Sequence, residues 1–204
     1  GHPDVESVTP LYVQFGKLRN FQDGQKYPIF VFGVDPGTKT FDLPGVNENL
    51  DQLKLADRAL FDSSARTEFG PIVETFEKEN KVLIEIAPYN DIFKSRKLEV
   101  RGLFTIGTSF GVDGNLMINV STFQNIFTER SSEKIDIGIL NLKTDSNVEK
   151  VRNELRSTLP KDVKVLTIVD FIKMEKAYWD LRTPAGFAFK IMVTMGFVIG
   201  IGIV

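Results

Sequence analysis

The C-terminal residues 183–204 constrain the fold of this chain more than any other feature. They read TPAGFAFKIMVTMGFVIGIGIV, and Lys190 is the only charged residue among them. A helix rises about 1.5 Å per residue, so about 20 apolar residues span a hydrocarbon layer about 30 Å thick. A buried helix of a soluble domain is the alternative, but such a helix normally keeps a polar face, and beyond Lys190 only Thr194 interrupts the apolar surface. The pattern therefore predicts the start of a transmembrane helix over residues 183–204.

The rest of the chain has the composition of an ordinary soluble domain and lacks most of the residues that catalysis uses. Of its 204 residues 42% are hydrophobic and 25% are charged, with a net charge of −2, so no basic excess exists for binding nucleic acid. The absence of cysteine excludes disulfides, thiolate nucleophiles and Cys-type zinc sites. The only histidine is His2, beside the first residue, where it cannot build a triad. We therefore expect no catalytic residue, no metal site, no cofactor and no nucleic-acid partner.

Alternating side chains predict a β-hairpin at the start of the chain. Residues 8–20 place Leu11, Val13 and Phe15 on one side of a half-buried strand. After a turn over residues 22–25, residues 27–34 form an apolar run that is typical of a strand covered on both faces. A short helix is expected over residues 49–59, and the middle of the chain is expected to be rich in strands, namely 82–86, 98–106 and 115–120.

Three capping signals predict three helices in the second half of the chain. They are Ser121-x-x-Gln124 before a short helix ending near Phe127, Ser146-x-x-Glu149 before a helix ended by Pro160, and Thr167 before a helix through Arg182. Strands are expected over residues 135–142 and 163–166. A hairpin at one end, strand–helix–strand–helix at the other and strands between them predict an α+β lobe that carries an inserted β lobe.

Several motifs that imitate functional sites fail on their spacing. Residues 33–40 resemble a phosphate-binding loop, but Thr38 separates Lys39 from the last glycine and no long helix follows. The glycine-rich residues 107–114 join two predicted strands and lack the dinucleotide fingerprint. The close carboxylates suit solvated helix faces and loops; they are Glu74, Glu77, Glu79, Glu129 and Glu133.

Aromatic side chains in turn-like contexts are the candidates for contacts with partners. Phe110, at the tip of the loop over residues 107–114, and Asp113 beside it are the possible partner contacts. Phe21, Phe69 and Phe93 share this kind of context; packing against their own neighbours is the favoured interpretation for each, and contact with a partner or lipid is the alternative if they are exposed.

Four segments of the sequence resemble the DevC-type permeases of cyanobacterial ABC exporters, which are relatives of the MacB and FtsX-like permeases. They read HPDVESVTPLYV, LEVRGLFTIGTSFGVDGN, LPKDVKV and FIKMEKAYWDLRTPAGFAFKIMVTMGFVIGIGIV. The resemblance implies a porter-like α/β-sandwich lobe made of residues 1–40 and 131–182. It implies a small β-rich, Sabre-like lobe inserted over residues 41–130. Residues 183–204 would then begin the second of four membrane helices.

The resemblance also implies a mechanical, non-enzymatic role in the inner membrane, with this domain in the periplasm. The expected partners are a cytoplasmic ABC ATPase subunit, a membrane fusion (adaptor) protein and a TolC-like outer-membrane channel, in a homodimeric transporter of glycolipid or other lipophilic cargo. Helix 168–182 would transmit force to the membrane. Its expected residues, with the two that follow it, are Phe171, Ile172, Tyr178, Trp179, Thr183 and Pro184.

Two other functions use the same C-terminal segment. A membrane-tethered sensor domain would carry a ligand pocket in its β lobe. A permease for lipids or lipoproteins would hand its cargo to a soluble carrier, not to an adaptor.

Overall fold

The computed structural model describes residues 2–38, 41–91, 93–107, 112–130, 134–182, 187–189, 191–193 and 195. It divides into two compact units. Ser7–Asn141 form the barrel unit, and Gly1–Glu6 with Leu142–Val204 form the helical unit. The described residues form seven β-strands and five α-helices, which confirms the predicted α+β class.

Six strands of the sheet form a closed ring. They are β1 (Val5–Arg19), β2 (Lys26–Val34), β3 (Arg58–Asp62), β4 (Val82–Pro88), β5 (Arg96–Phe104) and β6 (Asn115–Asn119). Their order around the ring is β1-β2-β6-β3-β5-β4, and β4 pairs again with β1. The β2–β6 and β3–β5 pairs are parallel, and the other pairs are antiparallel. A seventh strand, β7 (Ile137–Leu142), lies beside β1 at the edge of the sheet.

The inside of the ring is a continuous hydrophobic core. Because side chains alternate across a strand, every second residue points inward. The inward residues include Leu18, Val31, Phe61, Ile84, Leu98 and Leu116, all of which are buried. This small barrel is filled by its own side chains, as barrels of this strand number usually are.

Short helices close both ends of the barrel. At one end Phe69, in the 3-10 turn Thr67–Phe69, and Ile72, the first residue of α2 (Ile72–Glu79), are buried in the barrel core. At the other end α3 (Val120–Ile126) inserts Phe123, whose ring lies 5.8 Å from that of Tyr12. The barrel interior is thereby sealed from solvent by apolar side chains.

A second hydrophobic cluster covers part of the outer barrel surface. Helix α1 (Val46–Asn49) and the 3-10 turn Leu50–Lys54 pack against the outward residues Leu60, Phe104 and Met117. The approach is close at Gly45, where an added Cβ would lie 2.3 Å from the carbonyl oxygen of Leu103. Gly45 also has φ = 82°, so two independent constraints require glycine there.

Several predicted elements are confirmed, and others need correction. The hairpin β1–β2 pairs Arg19 with Lys26 across the predicted turn, and β4, β5, β6 and β7 match their predicted strands. The short helix expected over residues 49–59 is present, but it begins and ends earlier: α1 and the 3-10 turn cover Val46–Lys54, and β3 begins at Arg58. The sequence reasoning also missed α2.

Two of the three capping predictions are wrong by one or two residues. Asn119, not Ser121, caps α3 by accepting a hydrogen bond from the Thr122 amide at 2.7 Å. Asn147, not Ser146, caps α4 (Val148–Thr158) by accepting from the Lys150 amide at 3.0 Å. Asn and Ser are almost equally good N-cap residues, so the residue whose side chain reaches the free amide becomes the cap.

The helical unit contains α4 and α5 (Ile168–Arg182). The strand predicted over residues 163–166 is wrong, because these residues form no strand. Their polar backbone groups bond locally: the Val163 amide donates to the Pro160 carbonyl at 3.0 Å, and Arg156 Nε donates to the Val165 carbonyl at 2.9 Å.

The lobe limits after residues 40 and 130 stay a prediction. Strands β1 and β2 belong to the same ring as β3 to β6. Among the residues described here, no helix has the length and apolarity needed to cross a membrane. The predicted transmembrane segment lies outside the described residues except for 187–189, 191–193 and 195.

Candidate functional site: helix α5 and its attachment to α4

The start of α5 is fixed by a reciprocal pair of hydrogen bonds. Thr167 Oγ1 accepts from the Asp170 amide at 3.1 Å, and Asp170 Oδ2 accepts from the Thr167 amide at 3.4 Å. This arrangement is a capping box in which Asp takes the usual place of Glu or Gln. It confirms the prediction that Thr167 caps the helix.

An ion pair fastens α5 to α4. Arg152 on α4 donates through Nη1 to Asp170 Oδ2 at 2.9 Å and also contacts Glu149 on its own helix. The hydrogen bond from Arg152, followed by that from the Thr167 amide, lowers the pKa of the Asp170 carboxyl below its ordinary value. Asp170 therefore stays ionised at neutral pH and joins the cap of α5 to the side of α4.

The first residues of the chain are fastened to the same part of the molecule. His2 Nε2 lies 2.7 Å from Glu154 Oε2 on α4. The Asp4 carbonyl accepts from the Lys143 amide at 3.0 Å and from Ser146 Oγ at 3.3 Å. The first residues of the chain, through His2 and Asp4, and the start of α5 are thus both attached to α4 or to the residues just before it.

Helix α5 carries exposed apolar side chains at helical spacing. Ile168 is 79% exposed, and Phe171 and Ile172, three and four residues further along, are each 47% exposed. Residues at this spacing share one face of a helix. The structure thus brings together Ile168 with the predicted Phe171 and Ile172, and it leaves their shared face uncovered.

Of the other predicted residues of the force-transmitting region, only Tyr178 has a described side chain. Tyr178 lies on α5 and is exposed. Trp179 belongs to α5, but its side chain lies outside the described residues, as do Thr183 and Pro184. The role of all six predicted residues stays a prediction.

Asp113, a predicted partner contact, binds Arg66 of its own barrel unit. Asp113 Oδ1 lies 2.8 Å from Arg66 Nη1, and its carbonyl accepts from the Arg66 amide at 2.9 Å. Both contacts hold the loop before β6 against the segment after β3. Phe110 lies outside the described residues, so the partner contact stays a prediction.

The buried polar groups of the barrel unit serve the fold. The Asp62 carboxylate is fully buried and accepts from Asn115 Nδ2 at 2.7 Å and from the Ser64 amide at 3.0 Å. Asn119 Nδ2 donates to the Leu53 carbonyl at 2.8 Å while its Oδ1 caps α3. Within the part of the chain that is described, no three His, Cys, Asp or Glu side chains could together hold a metal ion.

Sequence reasoning missed two contacts to α4, namely His2–Glu154 and Arg152–Asp170. Each pair joins residues far apart in sequence, and no local pattern reports such a contact. The only available signal was the spacing of Thr167 and Asp170, a capping pattern that places the carboxylate at the start of α5.

Comparison with solved structures identifies the fold. The extracellular domain of the noncanonic ABC-type transporter YknZ from Gram-positive bacteria aligns with a TM-score of 0.51 at 10% identity, covering 82% of this chain and 84% of that domain. The chain has the fold of this transporter domain.

A second solved structure is the periplasmic region of MacB from Actinobacillus actinomycetemcomitans. It aligns with a TM-score of 0.46 at 18% identity, covering 77% of this chain and 69% of that region. No protein-family model and no curated protein sequence matches the chain. The assignment of a transporter-domain fold therefore comes from the YknZ domain.

Proposed function

We propose that this chain is the extracytoplasmic domain of an ABC transporter permease subunit. In this proposal a separate cytoplasmic ATPase subunit hydrolyses ATP, and the permease couples that hydrolysis to export. The cargo passes through an adaptor protein and a TolC-like outer-membrane channel and is a glycolipid or another lipophilic molecule. The permease is a homodimer in the inner membrane, with this domain in the periplasm and no catalytic role.

The observation that carries the proposal is the position of α5 in a chain with the fold of a transporter domain. Helix α5 ends at Arg182, directly before the apolar sequence 183–204. The Arg152–Asp170 ion pair and the Thr167 cap attach its start to α4. A displacement of a membrane segment that continues α5 would therefore be passed to the helical unit.

The proposal explains why α5 carries apolar side chains at both ends of its described part. Ile168, Phe171 and Ile172 near its start are exposed in the single chain, and Tyr178 near its end is an aromatic residue of the kind enriched at membrane interfaces. In a dimeric transporter a second copy or an adaptor supplies the missing cover for the apolar face.

The test is reconstitution of the full-length permease with candidate ABC ATPase subunits from the same organism. The two proteins are expected to co-purify, and the periplasmic part of the adaptor is expected to raise the ATPase rate severalfold. A permease that binds no ABC ATPase contradicts the proposal. Thermal stabilisation by a small ligand without any effect on ATPase activity would instead favour a sensor, and binding to a soluble carrier in place of an adaptor would favour a carrier-loading permease.

A further inference from the structure

The outer surface of the barrel carries a row of four aromatic rings. We name it the aromatic strip, and its residues are Phe15, Phe30, Phe32 and Phe41. Phe15 on β1 lies directly opposite Phe30 on β2, and both point outward. Successive ring centroids are 5.0, 5.0 and 5.7 Å apart, each pair in an edge-to-face arrangement. Such contacts fix the rings relative to one another.

The strip begins under the outer hydrophobic cluster and ends in the open. Phe32 and Phe41 are partly buried and pack against that cluster. Phe30 is half-buried, and Phe15 at the far end is 40% exposed. The barrel interior is filled without these outward rings, so the uncovered half of the strip has no role in closing the core.

Basic residues border the open end of the strip. Lys17 and Arg19 follow Phe15 on the same outward face of β1, and Lys26 lies opposite Arg19 on β2. Lys17 Nζ lies 4.4 Å from the centre of the Tyr89 ring, and Arg19 pairs with Glu85 at 3.4 Å. Among the described residues, Arg19 pairs with Glu85 and Lys17 forms no ion pair, so positive charge lies beside Phe15.

The shape of the strip decides between a small amphiphile and a protein. Sites for small ligands are concave and cover most of the ligand surface, often 70–90% of it. The strip lies on the outside of a barrel and would leave one side of an acyl chain in water. Rigid aromatic residues surrounded by a polar, charged rim are instead typical of the centre of a protein interface.

We infer that the aromatic strip is a docking surface for a protein partner that presents apolar side chains bordered by carboxylates. This inference rests on the proposed function, in which that partner is the adaptor. The rings provide the apolar contact. Because they already pack against one another, they have little side-chain freedom to lose on binding, which lowers the entropic cost of association. The basic border selects the acidic partner and increases the rate of association.

The experiment measures binding of the adaptor's periplasmic part to the full-length permease with its ATPase. The double variant Phe15→Thr with Phe30→Thr replaces two rings by residues that strands accept. We expect it to weaken binding by about tenfold or more, the effect of losing an interface hot spot. Leu83→Thr is the matched control, because Leu83 is an exposed apolar residue on the outer face of β4 in the same barrel. Its binding is expected to equal that of the wild type.

A charge variant provides a second and independent readout. Lys17→Glu with Lys26→Glu is expected to weaken binding and to make the remaining affinity less sensitive to salt, because a screened attraction has been removed. The conservative Phe15→Tyr keeps a ring at the strip and is expected to bind nearly as well as the wild type.

Four outcomes separate this inference from the proposed function. Weakened binding by the strip variants, with Leu83→Thr unaffected, supports the docking surface. Equal binding by the strip variants and the wild type overturns the docking surface and leaves the permease function standing. A wild type that binds no adaptor overturns the proposed partner, and this inference with it. If the strip variants instead lose binding to anionic lipid vesicles while adaptor binding is unchanged, the surface contacts lipid and the protein-docking inference is wrong.

Discussion

The barrel unit and the helical unit bury their apolar side chains to different extents. The barrel unit has one core inside its ring and a second on its outer surface. Among the described residues of the helical unit, Val151 on α4 is the only buried hydrophobic side chain. The apolar side chains of α5 that are described, from Ile168 to Tyr178, are by contrast exposed, and polar contacts join α5 to α4.

The difference indicates that the two units acquire stability in different ways. The barrel can fold on its own hydrophobic burial, which is the dominant favourable term in folding. The helical unit is held by capping and ion pairs, each of which contributes little when exposed to water. A helix with exposed apolar side chains, in a unit with little buried apolar surface, is suited to being covered by another surface, which is the role that the proposed function gives to α5.

The largest expected effect is a substitution inside the barrel. Phe61→Ala removes a buried ring that packs 6.1 Å from Phe69 and should lower the free energy of unfolding by about 3–5 kcal/mol. Urea denaturation measures this change, and Phe61→Leu, which keeps most of the volume, is expected to cost much less. A loss below about 1 kcal/mol for Phe61→Ala would contradict a tightly packed barrel interior.

A smaller effect is expected at the end of the barrel. Asn119→Ala removes the cap of α3 and leaves the Leu53 carbonyl without its 2.8 Å donor. The free energy of unfolding should fall by about 1–3 kcal/mol, as for a lost cap combined with an unsatisfied buried group. Ser121→Ala is the control, since Ser121 is the residue that the sequence pattern wrongly assigned as the cap. An equal loss in both variants would contradict the role of Asn119.

A still smaller effect is expected where α5 meets α4. Asp170→Asn removes the ionised partner of Arg152, and hydrogen exchange should become faster in the first turns of α5 while the barrel strands keep their protection.

The same contact predicts a pH dependence. The pKa of Asp170 is lowered in the folded state, so its contribution to stability is present above the ordinary carboxyl pKa of about 3.9. That contribution is lost as the pH falls through the lowered folded-state value. Hydrogen exchange in the first turns of α5 should therefore become faster as the pH falls through that value, once the intrinsic pH dependence of exchange is subtracted. The Asp170→Asn variant should not show this change. Faster exchange confined to the barrel strands would contradict the role of Asp170 in attaching α5 to α4.

The smallest effect on stability is expected on the exposed face of α5. Phe171→Ser should change the free energy of unfolding of the isolated domain by no more than about 0.5 kcal/mol, as exposed substitutions usually do. The same substitution in the full transporter should reduce transport. A large loss of stability in the isolated domain would show that this face is already covered and would remove the contrast between the two units.

Much of the strand content was predictable from the sequence, whereas the closure of the barrel was not. Alternation predicted the hairpin, and the turn residues placed Arg19 opposite Lys26. The β4–β1 pairing that closes the ring joins residues about 70 apart and leaves no local pattern. Phe15 illustrates the limit: its alternation with Tyr12 was read correctly, but both faces of β1 carry apolar residues, and it is Tyr12 that enters the core.

The sequence predicted where α5 lies in the chain, but not the contacts that attach it to α4. The Thr167 cap and the extent of α5 followed from spacing, and Phe171 and Ile172 were found as its apolar residues. Packing was the favoured interpretation for Phe69 and Phe93 alike; Phe69 is buried, as expected, whereas Phe93 is 93% exposed. A loop aromatic can turn toward a core or away from it, and only the three-dimensional path of the chain decides between the two.

The most direct test of the account is to break the continuity between α5 and the apolar segment that follows it. Inserting Gly-Gly-Ser after residue 182 in the full-length permease should leave ATP hydrolysis in the assembled transporter nearly unchanged and abolish export, because a flexible link cannot pass on displacement. The same insertion after Asn80, between α2 and β4 of the barrel unit, should leave export intact. Export at the wild-type rate with the insertion after residue 182 would contradict the claim that α5 carries motion between the membrane and this domain.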